Sequence, residues 1–363
     1  MNYLQPHIFP GWRVLNRREF VAATLGSPLV LVDRAVAQAP TFIGDMHVHS
    51  FFAESSYHLR PLAPALAAGG ATLVAWSLVG DLLWFDPRTF KQKSSPGRGE
   101  AFGWLRRELD RIKTHIAEQR LKTLQTASDV DLALRGTPHI VLAVEGASFI
   151  ETDAGRIKAA HELGVRHLQL VHYTSNTIGD IQTEPPEHKG LTQLGRQVVG
   201  ECNRLGILID LAHCTEAATR DALAASRVPV VWSHGSVTRQ QSAPPSAAVW
   251  RRRQLPLEMA KEIAQRGGVV GLWSLAPDVG KTVEAYADRM LELVEWLGED
   301  HVAFGTDING LGPFSVLSGY ADLKRVVDHW RKQGVVDTRI RKLAIGNYAR
   351  VLRTALRAAR VGR

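Results

Sequence analysis

Eight apolar runs rich in β-branched residues alternate with stretches of helical periodicity, and this alternation limits the folds open to the chain more than any other feature. The runs cover residues 41–49, 71–77, 140–144, 168–171, 207–212, 228–233, 268–273 and 301–306. The helical stretches cover residues 100–121, 153–163, 192–205, 217–225, 256–265 and 283–297. Eight strands that are each followed by a helix predict an α/β fold, a (β/α)8 TIM barrel. Residues 81–99 and 175–192, rich in Gly, Pro and polar residues, are predicted to be loop insertions at its C-terminal face.

The first 39 residues have the pattern of an export signal. Arg17 and Arg18 precede Phe20 and an uncharged stretch, and a small-residue motif ends at Ala39. The pattern resembles the bacterial twin-arginine signal peptide, so we expect recognition by the twin-arginine export machinery, cleavage after Ala39, and a periplasmic or secreted product. The uncharged stretch is too short and too broken to span a bilayer stably. Residues 40–363 are then predicted to form a single metal-dependent hydrolase domain.

The composition indicates a globular protein, since 45% of the residues are hydrophobic and 22% are charged. Removing residues 1–39 takes away four arginines and two acidic residues, which lowers the net charge from +8 to +6. The remaining excess lies mainly in residues 251–253 and 339–363. No aromatic residues alternate with these arginines, so we expect no nucleic-acid partner and interpret the carboxyl terminus as a solvated helix.

Six of the runs end in residues that bind metals or transfer protons. His47 and His49 are two apart on the first run, so that both side chains project from the same face of a strand. The other five runs reach Glu145, His172, His213, His234 and Asp307. The carboxyl ends of barrel strands meet at one face, and the pattern therefore predicts one pocket with metal ligands and acid or base groups.

Each of these residues also has an ordinary interpretation when it is taken alone. His172 is explained equally well as a hydrogen-bonded core histidine, Asp307 as a helix cap, and Glu145 as a buried charge paired with Arg166. Their shared position at strand ends favours the pocket. The histidines without that context are interpreted as surface or loop residues: His58, His115, His139, His161, His167, His188, His301 and His329.

From residue 42 to residue 356 the chain resembles the membrane dipeptidase family, also called renal dipeptidases, within the amidohydrolase superfamily. The markers are Val144-Glu145-Gly146, the segment 164–172 with Ser175-Asn176-Thr177, the segment 203–213 that ends in Asp210-Leu211-Ala212-His213, Ser233-His234-Gly235-Ser236, and Phe304-Gly305-Thr306-Asp307. The segment ending at His213 is long and specific. The resemblance implies a zinc peptidase that hydrolyses dipeptides.

The resemblance also implies roles for individual residues. Two Zn2+ ions are expected per chain, with one as the alternative: Glu145 would bridge them, His47 and His49 would hold one, and His213 and His234 would hold the other. A hydroxide between the metals would attack the peptide carbonyl. His172 would donate a hydrogen bond to the carbonyl oxygen and so bind substrate, and Asp307 would carry the proton to the leaving amine. Arg253, next to Arg251 and Arg252, would bind the substrate carboxylate.

Two departures from the family pattern bear on the substrate. The family usually has His-x-Asp where this chain has His47-Val48-His49, so a neutral ligand replaces an anionic one. Trp273 stands in Gly271-Leu272-Trp273-Ser274, where relatives commonly carry an Asn-Phe-Tyr-like sequence.

Three functions therefore stay open: a dipeptidase, a related hydrolase of a small amide or ester such as an N-acyl amino acid, a β-lactam or a lactone, and a metal-binding protein without catalysis. A homodimer is also left open. The two cysteines, Cys202 and Cys214, are too few for a disulfide framework, and we expect small buried residues, with Cys214 as an additional zinc ligand the alternative.

Overall fold

The computed structural model describes residues 40–49, 61–240 and 247–359. The predicted signal peptide at residues 1–39 and His58 lie outside these residues, and the division at residue 39 stays a prediction. From Thr41 onward the chain forms one compact unit. Its main sheet contains eight parallel strands, β1 to β8: Ile43–His49, Ala71–Val79, His139–Glu145, Val165–Gln169, Leu208–Asp210, Val231–Trp232, Val269–Leu272 and Val302–Phe304.

The strands follow one another around the sheet in chain order. The two ends of the sheet meet where Val48 forms a parallel bridge with Ile308, and the amide of His49 donates to the carbonyl of Ile308 at 3.0 Å. The predicted (β/α)8 barrel is therefore confirmed. A short strand, Lys122–Thr123, pairs with the start of β3, and two small ladders lie outside the barrel: Phe85–Asp86 with Lys91–Gln92, and Val237–Thr238 with Leu255–Pro256.

Thirteen α-helices, α1 to α13, lie in the described residues. They are Leu62–Gly69, Glu100–Glu118, Ala127–Ala133, Arg156–Glu162, Gln193–Leu205, Glu216–Ala225, Val249–Arg252, Leu257–Gln265, Ala276–Val279, Val283–Leu297, Tyr320–Lys332, Asp337–Arg341 and Asn347–Arg357. Short 3-10 turns cover Ser148–Ile150 and Gly312–Phe314, and a π-helical turn covers Lys342–Gly346.

The six predicted helices are present, with small differences at their ends. Helix α4 begins at Arg156 rather than at residue 153. The Asp153 carboxylate accepts a hydrogen bond from the amide of Gly155 at 2.8 Å, which gives the backbone a turn in place of the first helical turn. Helix α5 begins as predicted, because the Thr192 side chain caps the amide of Gly195.

Alternation along the strands separates two layers of core. In β3, Ile140, Leu142 and Val144 pack outward with the surrounding helices, whereas Val141 and Ala143 pack into the barrel interior. Glu145 continues the inward-facing series and so reaches the interior at the carboxyl end. The barrel is tight there: a Cβ atom on Gly305 of the segment after β8 would lie 1.6 Å from the carbonyl oxygen of Ser233, so only glycine fits.

Helix α13 is not the solvated terminal helix that the arginine spacing suggested. Its buried face, which includes Tyr348 and Leu352, packs against interior residues at the amino ends of the strands, such as Leu208 and Val269. Arg350 on this helix donates to the carbonyl of Gly267 at 2.8 Å. The amphipathic helix therefore closes the barrel end opposite the predicted pocket.

The two predicted insertions differ in their position. Residues 81–99 include the ladder of Phe85–Asp86 with Lys91–Gln92, and Phe90 from this loop lines the large cavity at the carboxyl end of the barrel. Residues 175–192 contribute no residue to the lining of that cavity among the described residues. In the part of the chain that the structure describes, no helix is both long and apolar enough to cross a membrane.

Candidate metal centre and substrate cavity

Two histidine pairs face one carboxylate at the carboxyl end of the barrel. His47 and His49, at the end of β1, have their Nε2 atoms 3.3 Å apart, and His213 and His234 have theirs 3.2 Å apart. Glu145, at the end of β3, lies between the pairs. Its Oε1 is 3.6 Å from His47 Nε2, 3.2 Å from His213 Nε2 and 3.5 Å from His234 Nε2, and its Oε2 is 3.6 Å from His49 Nε2. The structure thus brings together all five residues that the sequence predicted as ligands.

The donor atoms of this group fit metal binding. His47, His49 and Glu145 form one set whose donor atoms all lie within 4.8 Å of one another, and Glu145, His213 and His234 form a second. Oε2 of Glu145 is buried and has no hydrogen-bond donor among the described residues. A buried carboxylate oxygen without a donor costs free energy unless a cation pairs with it, so this oxygen of Glu145 fits a bound cation.

The electrostatics of the centre also favour cations. Burial lowers the pKa values of His47, His213 and His234 well below the usual range, and the neighbouring cationic groups add to this effect. These rings are therefore neutral, with lone pairs available for a metal. Burial raises the pKa of Glu145 well above its usual value, with the Asp307 charge as the next cause, and a bound cation would reverse this penalty.

Hydroxyl groups orient two of the ligand rings. Nδ1 of His47 lies 3.1 Å from the Ser77 hydroxyl, and Nδ1 of His234 lies 2.9 Å from the Ser233 hydroxyl. A partner at Nδ1 fixes the ring so that Nε2 points at the centre. Neither serine was predicted to support the site. The period of two along β2 provides a signal for Ser77, because it follows the inward-facing Leu73 and Ala75.

Two site residues follow strands in a backbone conformation that is rare for side chains other than glycine. His213 has a φ of 70° and Asp307 a φ of 57°. Such left-handed residues cost free energy and concentrate at functional sites. The turn at Asp307 brings its Oδ1 to 3.0 Å from His49 Nε2. Gly310 leaves room for this contact, since a Cβ atom there would lie 2.1 Å from Asp307 Oδ1 and 2.5 Å from His49 Cδ2.

His172 is held by a buried aspartate, Asp81, which the sequence pattern assigned only to a loop. Asp81 Oδ1 lies 2.6 Å from His172 Nδ1, and Oδ2 accepts hydrogen bonds from the amides of Tyr173 and Thr174 and from the Thr174 hydroxyl. His172 Nε2 then faces the centre, 3.5 Å from Glu145 Oε2. Asp81 follows β2 by two residues, which is the same strand-end position that identified the other site residues.

Burial lowers the pKa of His172, and the Asp81 carboxylate opposes that shift. The protonation state of the ring determines whether Nε2 can donate a hydrogen bond. When Nδ1 donates to Asp81, Nε2 can also donate only if the ring is doubly protonated. Asp81 stabilises that charged form.

Arg253 is the one residue of the triple arginine that lines the cavity. Its side chain is fully buried, Nη1 donates to Gln182 Oε1 at 2.7 Å, and Nη2 is 3.0 Å from His234 Nε2. Its Nε is buried without a hydrogen-bond partner among the described residues, so a donor is available for an anion. Arg251 lies against the Trp250 ring and Arg252 donates to the carbonyl of Thr183.

Three other histidines were wrongly interpreted as surface or loop residues. His115, His139 and His167 are buried. His167 Nε2 lies 3.3 Å from Asp210 Oδ2, within the barrel. Oδ1 of Asp210 also accepts from the amides of Ala212 and Ser233, so this aspartate supports the segments that carry His213 and His234. Both cysteines, Cys202 and Cys214, are buried, as predicted, and both are free thiols.

The metal centre forms one end of a cavity of about 400 Å3. Nine of its described lining residues are apolar or aromatic, and its carboxylates among those residues are Glu145 and Asp307. The apolar and aromatic residues are Phe90, Tyr173, Val249, Trp250, Trp273, Leu275, Pro277, Leu311 and Phe314. A buried polar centre beneath apolar walls is the usual form of a small-molecule site.

Comparison with known proteins identifies relatives of this chain. The family model described as membrane dipeptidase (peptidase family M19) matches residues 64–362. The dipeptidase tcpJ of Claviceps purpurea is 31% identical over 248 residues, which are 66% of this chain and 56% of that protein. The dipeptidase verJ of Clonostachys rogersoniana is 29% identical over 255 residues, 68% of this chain and 63% of that protein. The matched part of the chain thus covers less than two thirds of the length of each of these relatives.

A solved structure has the same fold. A metallopeptidase from Rhodobacter sphaeroides, whose crystal structure contains a phosphinate mimic of the dipeptide L-Ala-D-Ala, superposes with a TM-score of 0.70. It is 22% identical in sequence, and the match covers 87% of this chain and all of that one.

Proposed function

Since the chain belongs to the membrane dipeptidase family, we propose that it is a metal-dependent hydrolase that splits the peptide bond of dipeptides. The observation that carries this proposal is the position of Glu145 between two pairs of histidines, with distances of 3.2–3.6 Å from its oxygens to the four Nε2 atoms. We propose Zn2+ as the metal, because imidazole and carboxylate ligands suit it, and two ions per chain. When bound, the ions would acidify a water molecule and polarise the substrate carbonyl.

Three side chains bind the substrate and transfer protons: those of Arg253, His172 and Asp307. Arg253 binds the free carboxylate of the substrate and so fixes the peptide bond over the centre. His172, whose ring Asp81 orients, directs Nε2 at the carbonyl oxygen, where negative charge develops. It donates there in its doubly protonated form, which the Asp81 carboxylate stabilises against the effect of burial. Asp307 accepts a proton from the attacking water and transfers it to the leaving amine, so that the elements of water are added across the C–N bond.

A panel of dipeptides with the zinc-loaded protein tests this function. The panel includes carboxyl-terminal residues of both configurations, because the Rhodobacter sphaeroides protein binds a mimic of L-Ala-D-Ala. We expect release of both amino acids, and Asp307→Asn should lower kcat about 1,000-fold while zinc stays bound. Asp110→Asn, which changes an exposed carboxylate on α2, is the matched control and should leave kcat unchanged. Failure to hydrolyse any member of the panel would overturn the proposal.

One observation favours a second candidate, hydrolysis of N-acyl amino acids. Glu145 and Asp307 are the carboxylates among the described lining residues, and both lie within 3.6 Å of His49 Nε2. The described lining residues therefore offer the free amine of a dipeptide no carboxylate apart from these two. An N-acyl group is uncharged and needs no carboxylate to bind it. A higher kcat/KM for N-acetyl amino acids than for the dipeptides with the same leaving residue would favour the second candidate.

We also propose that the chain is exported, on the basis of Arg17, Arg18 and the motif ending at Ala39. Expression in a bacterium with a functional twin-arginine system should give a periplasmic protein whose mass corresponds to cleavage after Ala39. Replacement of both arginines by lysine should keep the uncleaved chain in the cytoplasm. Export that is unaffected by this replacement contradicts the proposal.

A further inference from the structure

Two loops at the cavity are joined into one surface. The segment after β7, residues 273–275, pairs with residues 315–316, which end the loop that follows β8. The amide of Val316 donates to the carbonyl of Ser274 at 2.9 Å, the hydroxyls of Ser274 and Ser315 are 2.6 Å apart, and Leu275 forms an isolated bridge with Ser315. Side chains from the two loops therefore keep a fixed relation to each other.

Four apolar side chains of these loops line the cavity, and we call them the apolar wall: Trp273, Leu275, Leu311 and Phe314. Asp278 holds the indole of Trp273 in place, because its Oδ2 accepts a hydrogen bond from Nε1 at 2.6 Å. No charged side chain belongs to the wall, so a charged group placed against it would lose water without gaining a partner. An apolar group placed there would lose contact with water at no such cost.

Phe314 is exposed to solvent, unlike most large apolar residues in the described part of the chain. Its exposed fraction is 63%, and the other large hydrophobic residues that are exposed in the described part of the chain are Leu83 and Val336. Of these three, Phe314 alone lines the cavity. Covering this ring with an apolar group of a bound substrate would remove apolar surface from water on both partners.

The wall begins beside the residue that we assign to the substrate carboxylate. The guanidinium carbon of Arg253 lies 5.6 Å from the centroid of the Trp273 ring. When Arg253 holds the carboxylate, the side chain of the same amino acid lies within a few bonds of the wall. We propose that the apolar wall selects dipeptides whose carboxyl-terminal residue has a large apolar side chain. This inference rests on the proposed dipeptidase function and on the role of Arg253.

Measurements of kcat/KM on the zinc-loaded protein test the selection. The substrates are Ala-Ala, Ala-Leu, Ala-Phe and Ala-Lys, with Leu-Ala and Phe-Ala to place the side chain on the other residue. We expect Ala-Leu and Ala-Phe to exceed Ala-Ala about tenfold or more, and Ala-Lys to be no better than Ala-Ala. The preference should be smaller when the large side chain is on the amino-terminal residue.

Two variants test whether the apolar wall causes the preference for a large carboxyl-terminal side chain. They change residues with similar exposed fractions. Phe314→Ala should lower the ratio of kcat/KM for Ala-Phe to that for Ala-Ala by about threefold or more. Val336 has an exposed fraction of 61% and lies outside the cavity lining, so Val336→Ala should leave the ratio unchanged. Thermal unfolding of both variants checks that each one folds.

The outcomes separate this inference from the proposed function. Hydrolysis of Ala-Ala, Ala-Leu and Ala-Lys with equal kcat/KM would overturn the apolar wall as a selective surface and leave the dipeptidase function standing. A ratio that Phe314→Ala and Val336→Ala change equally would also overturn it. Absence of hydrolysis for every dipeptide would overturn the proposed function itself.

Discussion

Asp81 Oδ1 lies 2.6 Å from Nδ1 of His172, and both side chains are buried. The contact fixes the orientation of the imidazole and stabilises its charged form, in which Nε2 can donate to the substrate. Asp81→Asn preserves the shape of the side chain and removes the charge, so kcat/KM for a dipeptide should fall about 10- to 100-fold. Zinc content should stay at the wild-type value, because Asp81 contacts none of the predicted ligands. Equal loss of zinc and activity would contradict a positioning role and indicate a structural one.

Arg253 is buried beside His234, whereas Arg251 is exposed. Arg253→Ala should raise KM for dipeptides about 100-fold and leave the hydrolysis of the corresponding dipeptide amides nearly unchanged, because the amides lack the carboxylate that the guanidinium binds. Arg251→Ala is the matched control and should affect neither class. An equal loss for dipeptides and dipeptide amides in Arg253→Ala would mean that the residue supports the site in another way.

His49 stands where the family pattern usually has a carboxylate, so the first ligand pair, His47 and His49, contains no acidic side chain. An anionic ligand strengthens the attraction for a dication, so His49→Asp should hold its zinc against a chelator at about tenfold higher chelator concentration than the wild type. The zinc at His213 and His234 should dissociate alike in both proteins. Weaker zinc retention in His49→Asp would show that the histidine is the better ligand in this position.

Asp278 links stability to pH. Burial raises the pKa of Asp278 to about 6, while its hydrogen bonds from Trp273 and Gln254 act in the opposite direction. In the unfolded chain an aspartate ionises near pH 3.9, so between about pH 4 and pH 6 the folded protein binds more protons than the unfolded one. The free energy of unfolding therefore falls as the pH rises through this window, by up to about 3 kcal/mol for a shift of about two units.

Asp278→Asn removes this titration. The stability of the wild type relative to the variant, measured by urea unfolding, should decline from pH 4 to pH 6 and then stay constant. A difference between wild type and Asp278→Asn that is constant from pH 4 to pH 7 would contradict the assignment.

The barrel and the grouping of the candidate metal ligands were predictable because they follow from local patterns. Each strand is an apolar run, and the carboxyl ends of parallel strands share one face, so Glu145, His213 and His234 could be placed together without knowledge of their distances. The family motifs added the shared role of Glu145. This part of the prediction depends on neighbouring residues in sequence and on one rule of topology.

The supporting residues were not predictable in the same way. Asp81 stands 91 residues from His172 in sequence, so no local pattern links the two residues. His167 was misinterpreted because its partner Asp210 lies on the next strand, in the barrel interior. Such pairs are set by tertiary packing, which a single sequence does not encode in its spacing. The solvated interpretation of α13 failed for the same reason, since its apolar face covers the barrel end.

The most direct test of a dipeptide hydrolase built around Glu145 is a zinc titration of the metal-free protein, with hydrolysis of Ala-Leu followed at each step. We expect no hydrolysis without metal and a rate that rises with added zinc and levels off near two ions per chain. Glu145→Gln should show neither full zinc binding nor hydrolysis. Hydrolysis by the metal-free protein, or an undiminished rate in Glu145→Gln, would contradict these expectations.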